Sequence, residues 1–275
     1  MSQSKKRLFF LASAVVLSIG LYFSLAEKKD SKEDQNEQNK ITSSVGYSFE
    51  VILSEAKKQL TKEQLVAVNK AEDDLKANSS AATLQIVGKL WDEYQVPPVS
   101  SHYFEQIAIL NPEEKTWIEA AYRYFDAYNM SADSSLRQAF IRKAIVCYEN
   151  ASMLNPKNLD VKTDLGISYA QEGSNPMKGI MLLREVVQEN PEHEMAQYNL
   201  GILSVKSGQL EKAVERFEKV MTINPKRTEA RYLLARTYAD LGKKEAALKN
   251  FELVKKEVSD PQLAAEIDKI IKQIK

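Results

Sequence analysis

An all-α fold is what this sequence predicts, and three observations predict it. Glycine and proline are sparse, at nine and eight of 275 residues, while Ala, Leu, Glu and Lys, the good helix formers, are abundant. Apolar residues recur at helical spacing through most of the chain beyond residue 47, and no segment reads as a strand. A set of small, aromatic and proline residues returns about every 34 positions from Ser80 to Pro261. Composition also narrows the functional classes. The 38 basic and 38 acidic residues cancel, which removes the electrostatic reason to expect a nucleic acid partner. A single cysteine, Cys147, rules out an intramolecular disulfide framework and a four-cysteine metal site.

The elements are taken in chain order. Residues 1–7 form a short basic segment with Lys5, Lys6 and Arg7, placed directly before the uncharged apolar run 8–26. That run is close to the roughly 20 residues a helix needs to cross a bilayer, so residues 8–26 are expected to contact the lipid bilayer as a transmembrane anchor. A cleaved signal peptide is the alternative, since Ser24-Leu25-Ala26 offers small residues to a peptidase. Either reading places residues 27–275 on the periplasmic or extracytoplasmic side. Residues 27–46 are polar almost throughout and are expected to be a flexible linker. Residues 47–79 hold two helical runs, the second opened by Thr61 and Gln64 in capping-box spacing. They are expected to be capping helices or a degenerate repeat.

Within 80–261 the slots can be aligned by residue. Leu200, Gly201, Ala213, Phe217, Val220 and Pro225 return as Leu234, Ala235, Ala247, Phe251 and Val254, with the final proline displaced to Pro261. Leu165, Gly166, Gly179, Leu183, Val186 and Pro191 give the series with one extra residue near Asn175-Pro176. Val87, Gly88, Ser100, Phe104, Ile107 and Pro112 give it without insertion. A longer unit between them carries Trp117, Ala120, Ala121, Tyr124, Ala144, Tyr148, Ala151 and Pro156, with its extra residues at 129–138. Small residues suit the close approach of two helices, large aromatics fill the gap to the next pair, and Asn-Pro at 111, 155, 190 and 224 stops each second helix. Five units result, at about 81–114, 115–158, 159–193, 194–227 and 228–261. An amphipathic C-terminal helix over 262–275, with Leu263, Ile267, Ile270 and Ile271 on one face, caps the last.

These spacings resemble the tetratricopeptide repeat (TPR) family, of the membrane-anchored bacterial envelope type. The leading aromatic slot departs from that pattern, holding Leu84, Lys162, Gln197 and Arg231, with Trp117 alone matching. The resemblance implies a right-handed solenoid of helix hairpins whose first helices line a concave groove. Carried over residue by residue, the groove is lined by Tyr122, Phe125, Ile167, Met195, Tyr198, Asn199, Ile202, Tyr232 and Arg236. Aromatics and arginine are the side chains that anchor protein interfaces, and Asn199 matches the asparagine that bonds a peptide backbone in relatives. The lysine and asparagine set with which chaperone-binding relatives clamp a terminal carboxylate is not matched; Gln85, Lys89, Glu119, Asp160 and Asp164 stand in that region.

The chemistry of catalysis is thin. His193-Glu194 begins like a zinc-protease motif, but Gln197 stands where its second histidine belongs, and His102 is the only other histidine. Cys147 reads as a small buried side chain. No enzyme, cofactor or metal is therefore expected. The chain is expected to be a membrane-anchored scaffold that binds a peptide or partner protein in its groove and aids assembly or quality control of envelope proteins. The alternative is a self-associating subunit of a membrane complex.

Overall fold

The computed structural model describes residues 48–274, and the described residues form thirteen α-helices and no strand. The expected anchor at 8–26 and linker at 27–46 lie outside the described residues. No helix among the described residues is long and apolar enough to cross a membrane.

Helices α1 (Phe49–Lys58) and α2 (Lys62–Ala77) come first, before the hairpin of α3 (Ala81–Glu93) and α4 (Pro97–Leu110). Thr61 and Gln64 cap α2 reciprocally. The Gln64 amide donates to Thr61 Oγ1 at 3.2 Å and the Thr61 amide to Gln64 Oε1 at 2.9 Å, satisfying two N–H groups that a helix start otherwise leaves bare. α1 lies on α4, where Phe49 stacks on His102 at 3.7 Å and meets Tyr103 edge-on at 5.7 Å. α2 packs on α3.

The second hairpin, α5 (Glu114–Met130) and α6 (Ser134–Leu154), absorbs the extra residues as helix rather than loop. Its members have 17 and 21 residues, against 13 and 14 in the fourth hairpin. Asp133 ends the connection by accepting the Leu136 amide at 2.9 Å. Next come α7 (Leu159–Glu172) with α8 (Pro176–Glu189), α9 (Glu194–Lys206) with α10 (Leu210–Ile223), α11 (Thr228–Asp240) with α12 (Lys244–Glu257), and the closing helix α13 (Pro261–Ile274). The chain divides into two compact units, the first ending at Val161 and the second beginning at Lys162, within the first turn of α7.

Local chemistry explains the punctuation. Asn111, Asn155, Asn190 and Asn224 each come directly after the last residue of a second helix and keep its final 2.8–3.0 Å amide bond. Their φ of −127° to −138° and ψ of 83° to 94° are extended, as the next residue, a proline, requires. Gly208 and Gly242 close the fourth and fifth hairpins in the left-handed region, at φ +73° and +71°. Gln95 takes the same slot in the first hairpin at φ +58°, where a Cβ costs roughly 1 kcal/mol or more.

The small slots do what their spacing predicts. A Cβ on Gly201 would sit 2.6 Å from the Phe217 ring, and one on Gly88 would sit 2.8 Å from Phe104. In the third hairpin the helices meet backbone to backbone: a Cβ on Gly179 would lie 2.3 Å from the Gly166 carbonyl oxygen. That contact is why glycine stands where the fourth and fifth hairpins have Ala213 and Ala247. Ile267 and Ile271 of α13 complete the cluster of Ala235, Ala247, Phe251 and Val254, each contributing about 1.5–3 kcal/mol by burial.

Candidate partner-binding surface

Helical periodicity puts Met195, Tyr198, Asn199 and Ile202 on one side of α9, and Tyr232 and Arg236 on the matching side of α11. Tyr198 and Tyr232, one repeat apart, are placed alike. Each leans edge-on against the phenylalanine of its own hairpin, Tyr198 on Phe217 at 6.1 Å and Tyr232 on Phe251 at 5.9 Å, a contact worth about 0.5–1.5 kcal/mol beyond burial. Both are half-buried.

Tyr198 is also held from its other side. The Arg227 guanidinium carbon lies 4.1 Å from its ring centroid, and the same guanidinium pairs with Glu194 at 2.5 Å and approaches Met195 Sδ at 3.3 Å. Burial raises the Tyr198 phenol above its ordinary pKa, and the charge of Arg227 opposes that rise. Met195 and Arg236 are exposed. Asn199 turns back onto its own helix, donating from Nδ2 to the Met195 carbonyl at 2.8 Å, so a peptide backbone must use its other polar positions. Ile202 is half-buried and, like Tyr198, packs on the cluster of Ala213, Phe217 and Leu234. Ile167 is half-buried on α7.

Tyr122 and Phe125 belong to the first unit. Tyr122 is 49 % exposed and meets Tyr148 edge-on at 6.1 Å; Tyr148 holds the slot of Phe217. Phe125 is half-buried and tilts against Tyr128 at 5.8 Å.

Departures from the repeat pattern have a structural use. In the leading slot, Gln197 donates to the Pro191 carbonyl at 2.8 Å, and Arg231 donates to the Pro225 carbonyl at 2.6 Å. A polar bond to the proline that ended the preceding hairpin thus replaces the bulk of an aromatic. His193 is the N-cap of α9, its Nδ1 accepting the Ala196 amide at 3.4 Å. Burial pushes the His102 pKa down to about 4 and the Cys147 thiol well above its ordinary value. Among the described residues no group of three or more His, Cys, Asp or Glu is arranged to hold a metal ion.

Two polar features escape sequence reasoning. Glu105, 7 % exposed, accepts the Tyr124 hydroxyl at 2.6 Å and the Lys143 ammonium at 2.9 and 3.1 Å. Arg184 and Arg216 line a common cleft between α8 and α10. Both features join polar residues of different helices, and no local signal marks such a pairing.

The family model for the tetratricopeptide repeat matches residues 204–266, from α9 into α13. That segment is tetratricopeptide repeat. Solved structures agree on the fold. MamA from Desulfovibrio magneticus RS-1 aligns with 64% of this chain and 94% of its own, at a TM-score of 0.52 and 15% identity. Another MamA crystal structure aligns with 62% of this chain and 94% of its own, at 0.51 and 18%. Tetratricopeptide repeat-containing protein trd-1 of Caenorhabditis elegans is 22% identical over 156 residues, covering 56% of this chain but 18% of that relative. The chain therefore spans less than a fifth of that relative's length.

Proposed function

We propose that this tetratricopeptide-repeat chain is a non-enzymatic scaffold that binds a peptide or partner protein on the tyrosine face of α9 and α11. The observation that carries the reading is the repeated setting of Tyr198 and Tyr232. Each is half-buried against a core phenylalanine, so little side-chain freedom remains to be lost when a partner lands on it. Exposed Met195 and Arg236 add an apolar and a cationic contact beside them. The proposal extends to the amino terminus: residues 8–26 tether the protein to a membrane, 27–46 act as a spacer, and the repeats work on the extracytoplasmic side in assembly or quality control of envelope proteins. The basic cluster before an apolar run supports that extension.

A photo-cross-linking residue at Arg236, in the full-length chain in native membranes, tests the face. Cross-links to one or a few other proteins, reduced at least about 10-fold by Tyr198→Ala with Tyr232→Ala at retained helicity, are the expected result. Cross-links only between copies of this chain would replace the scaffold reading with self-association. The intact mass of the membrane-extracted protein tests the tether, because loss of residues 1–26 would remove it.

A further inference from the structure

The second unit holds a cleft of about 480 Å³ between α8, α9 and α10. It lies on the other side of α9 from Tyr198: Leu200, Leu203, Ser204 and Ser207 line it, and they sit roughly 140° to 240° around the helix from that tyrosine. The cleft is thus separate from the tyrosine face and can be occupied whether or not that face binds anything.

Its lining combines two kinds of surface. Ile180, Val187, Leu200 and Leu203 supply apolar walls, while three cations, Arg184, Lys212 and Arg216, outnumber one carboxylate, Glu215. Arg184 makes no hydrogen bond or ion pair among the described residues. Arg216 is held in place instead. It donates to Gln197 Oε1 at 2.7 Å, and Gln197 is 4 % exposed and anchored in turn on the Pro191 carbonyl at 2.8 Å. Burial and the neighbouring charge of Arg184 both lower the Arg216 pKa, a crowding of like charges that an incoming anion relieves.

We propose that this cleft binds a peptide segment carrying an acidic side chain beside an apolar one, the carboxylate held by Arg184 and Arg216 and the apolar group laid on Ile180, Val187, Leu200 and Leu203. A planar carboxylate matches the guanidinium fork. A small hydrated anion such as phosphate leaves the apolar walls uncovered, and the volume suits two or three side chains better than a single ion.

The test uses the full-length chain and a C-terminally amidated Leu-Glu-Leu-Leu peptide labelled at its amino end with an uncharged boron-dipyrromethene dye, so that its only carboxylate is its Glu, with fluorescence anisotropy as the readout. The Leu-Gln-Leu-Leu counterpart should bind at least about 10-fold more weakly. Arg184→Gln should cause a similar loss for the Glu peptide without lowering the thermal unfolding temperature, since no partner in the fold is removed and the repulsion of Arg216 is relieved. Arg216→Lys keeps the charge but not the fork, and should also weaken binding. Lys272→Gln, which removes one charge from α13, should leave affinity unchanged. The proposal is overturned if the two peptides bind alike or not at all, if Arg184→Gln has no effect, or if inorganic phosphate at equal concentration displaces the Glu peptide.

Discussion

The two units are made of the same motif, yet they fill their interiors differently. In the second, hairpins of regular length close over glycine or alanine facing a phenylalanine or leucine, and the charged pairs lie at the surface or its edge. In the first, longer helices enclose a bulkier interior, with Trp91, Tyr124, Phe140 and Tyr148 fully buried beside the Glu105–Lys143 pair. Trp91 Nε1 and Glu72 Oε1 are buried there without a hydrogen-bond partner, as Arg231 Nε is in the second unit. The lesson is that a kept period lets small residues and a single large one fill the gap between helices. Once the period is broken, larger aromatics and paired polar groups occupy the added space, and they make that unit sensitive to charge.

Both tryptophans, Trp91 and Trp117, lie in the first unit, so tryptophan fluorescence reports on that unit while far-ultraviolet circular dichroism reports on both. The largest effect is expected from Lys143→Met, which strands the buried Glu105 carboxylate and should cost about 3–5 kcal/mol in a fluorescence-detected urea transition. Adding Glu105→Leu should restore most of that loss; a double variant no better than the single one would show that the pair is not what makes the first unit sensitive. In the second unit, Gly179→Ala should cost about 1–3 kcal/mol by overpacking against the Gly166 carbonyl. Ala247→Gly in the same slot loses a buried methyl as well as helix propensity and should cost about 1–2 kcal/mol. A Gly179→Ala variant as stable as the parent would mean that the third hairpin has room for a methyl group.

The charge sensitivity also has a pH signature. His102 has a folded pKa of about 4, below its ordinary 6.5, so between these values the unfolded chain binds more protons and stability rises with pH. The contribution is complete above about pH 6.5 and declines as pH falls toward 4, by roughly 2 kcal/mol at pH 5. His102→Phe should flatten this part of the fluorescence-detected profile, and an unchanged slope would assign it to other groups. The smallest effect is a gain. Gln95→Gly should stabilise the first unit by about 0.5–1 kcal/mol, because Gln95 holds a left-handed turn that the other unit gives to glycine. Gly208→Ala should do the reverse in the second unit.

The hairpins were legible in the sequence because their signals recur: Gly201 with Phe217, Ala235 with Phe251, and an Asn-Pro at the end of four second helices. The candidate face was legible only in part. Tyr198 and Tyr232 could be placed by their 34-residue spacing, but the inward turn of Asn199 and the core packing of Ile202 depend on side-chain rotamers and on the neighbouring helix. The cleft was not legible at all. Arg184 and Arg216 read as solvated helix residues, and only the packing of α8, α9 and α10 makes them neighbours.

The bonds from Gln197 to Pro191 and from Arg231 to Pro225 each span six residues and each begin in the repeat after the proline. Removing residues 192–225, a block of 34, would place Arg231 six residues after Pro191 and offer the same carbonyl to a donor already suited to it. A block that is not a whole number of repeats would leave the proline carbonyl facing the wrong side of the next helix. The repeats can therefore be gained, lost or exchanged as whole units, with the stop of one hairpin serving as the measure for the start of the next.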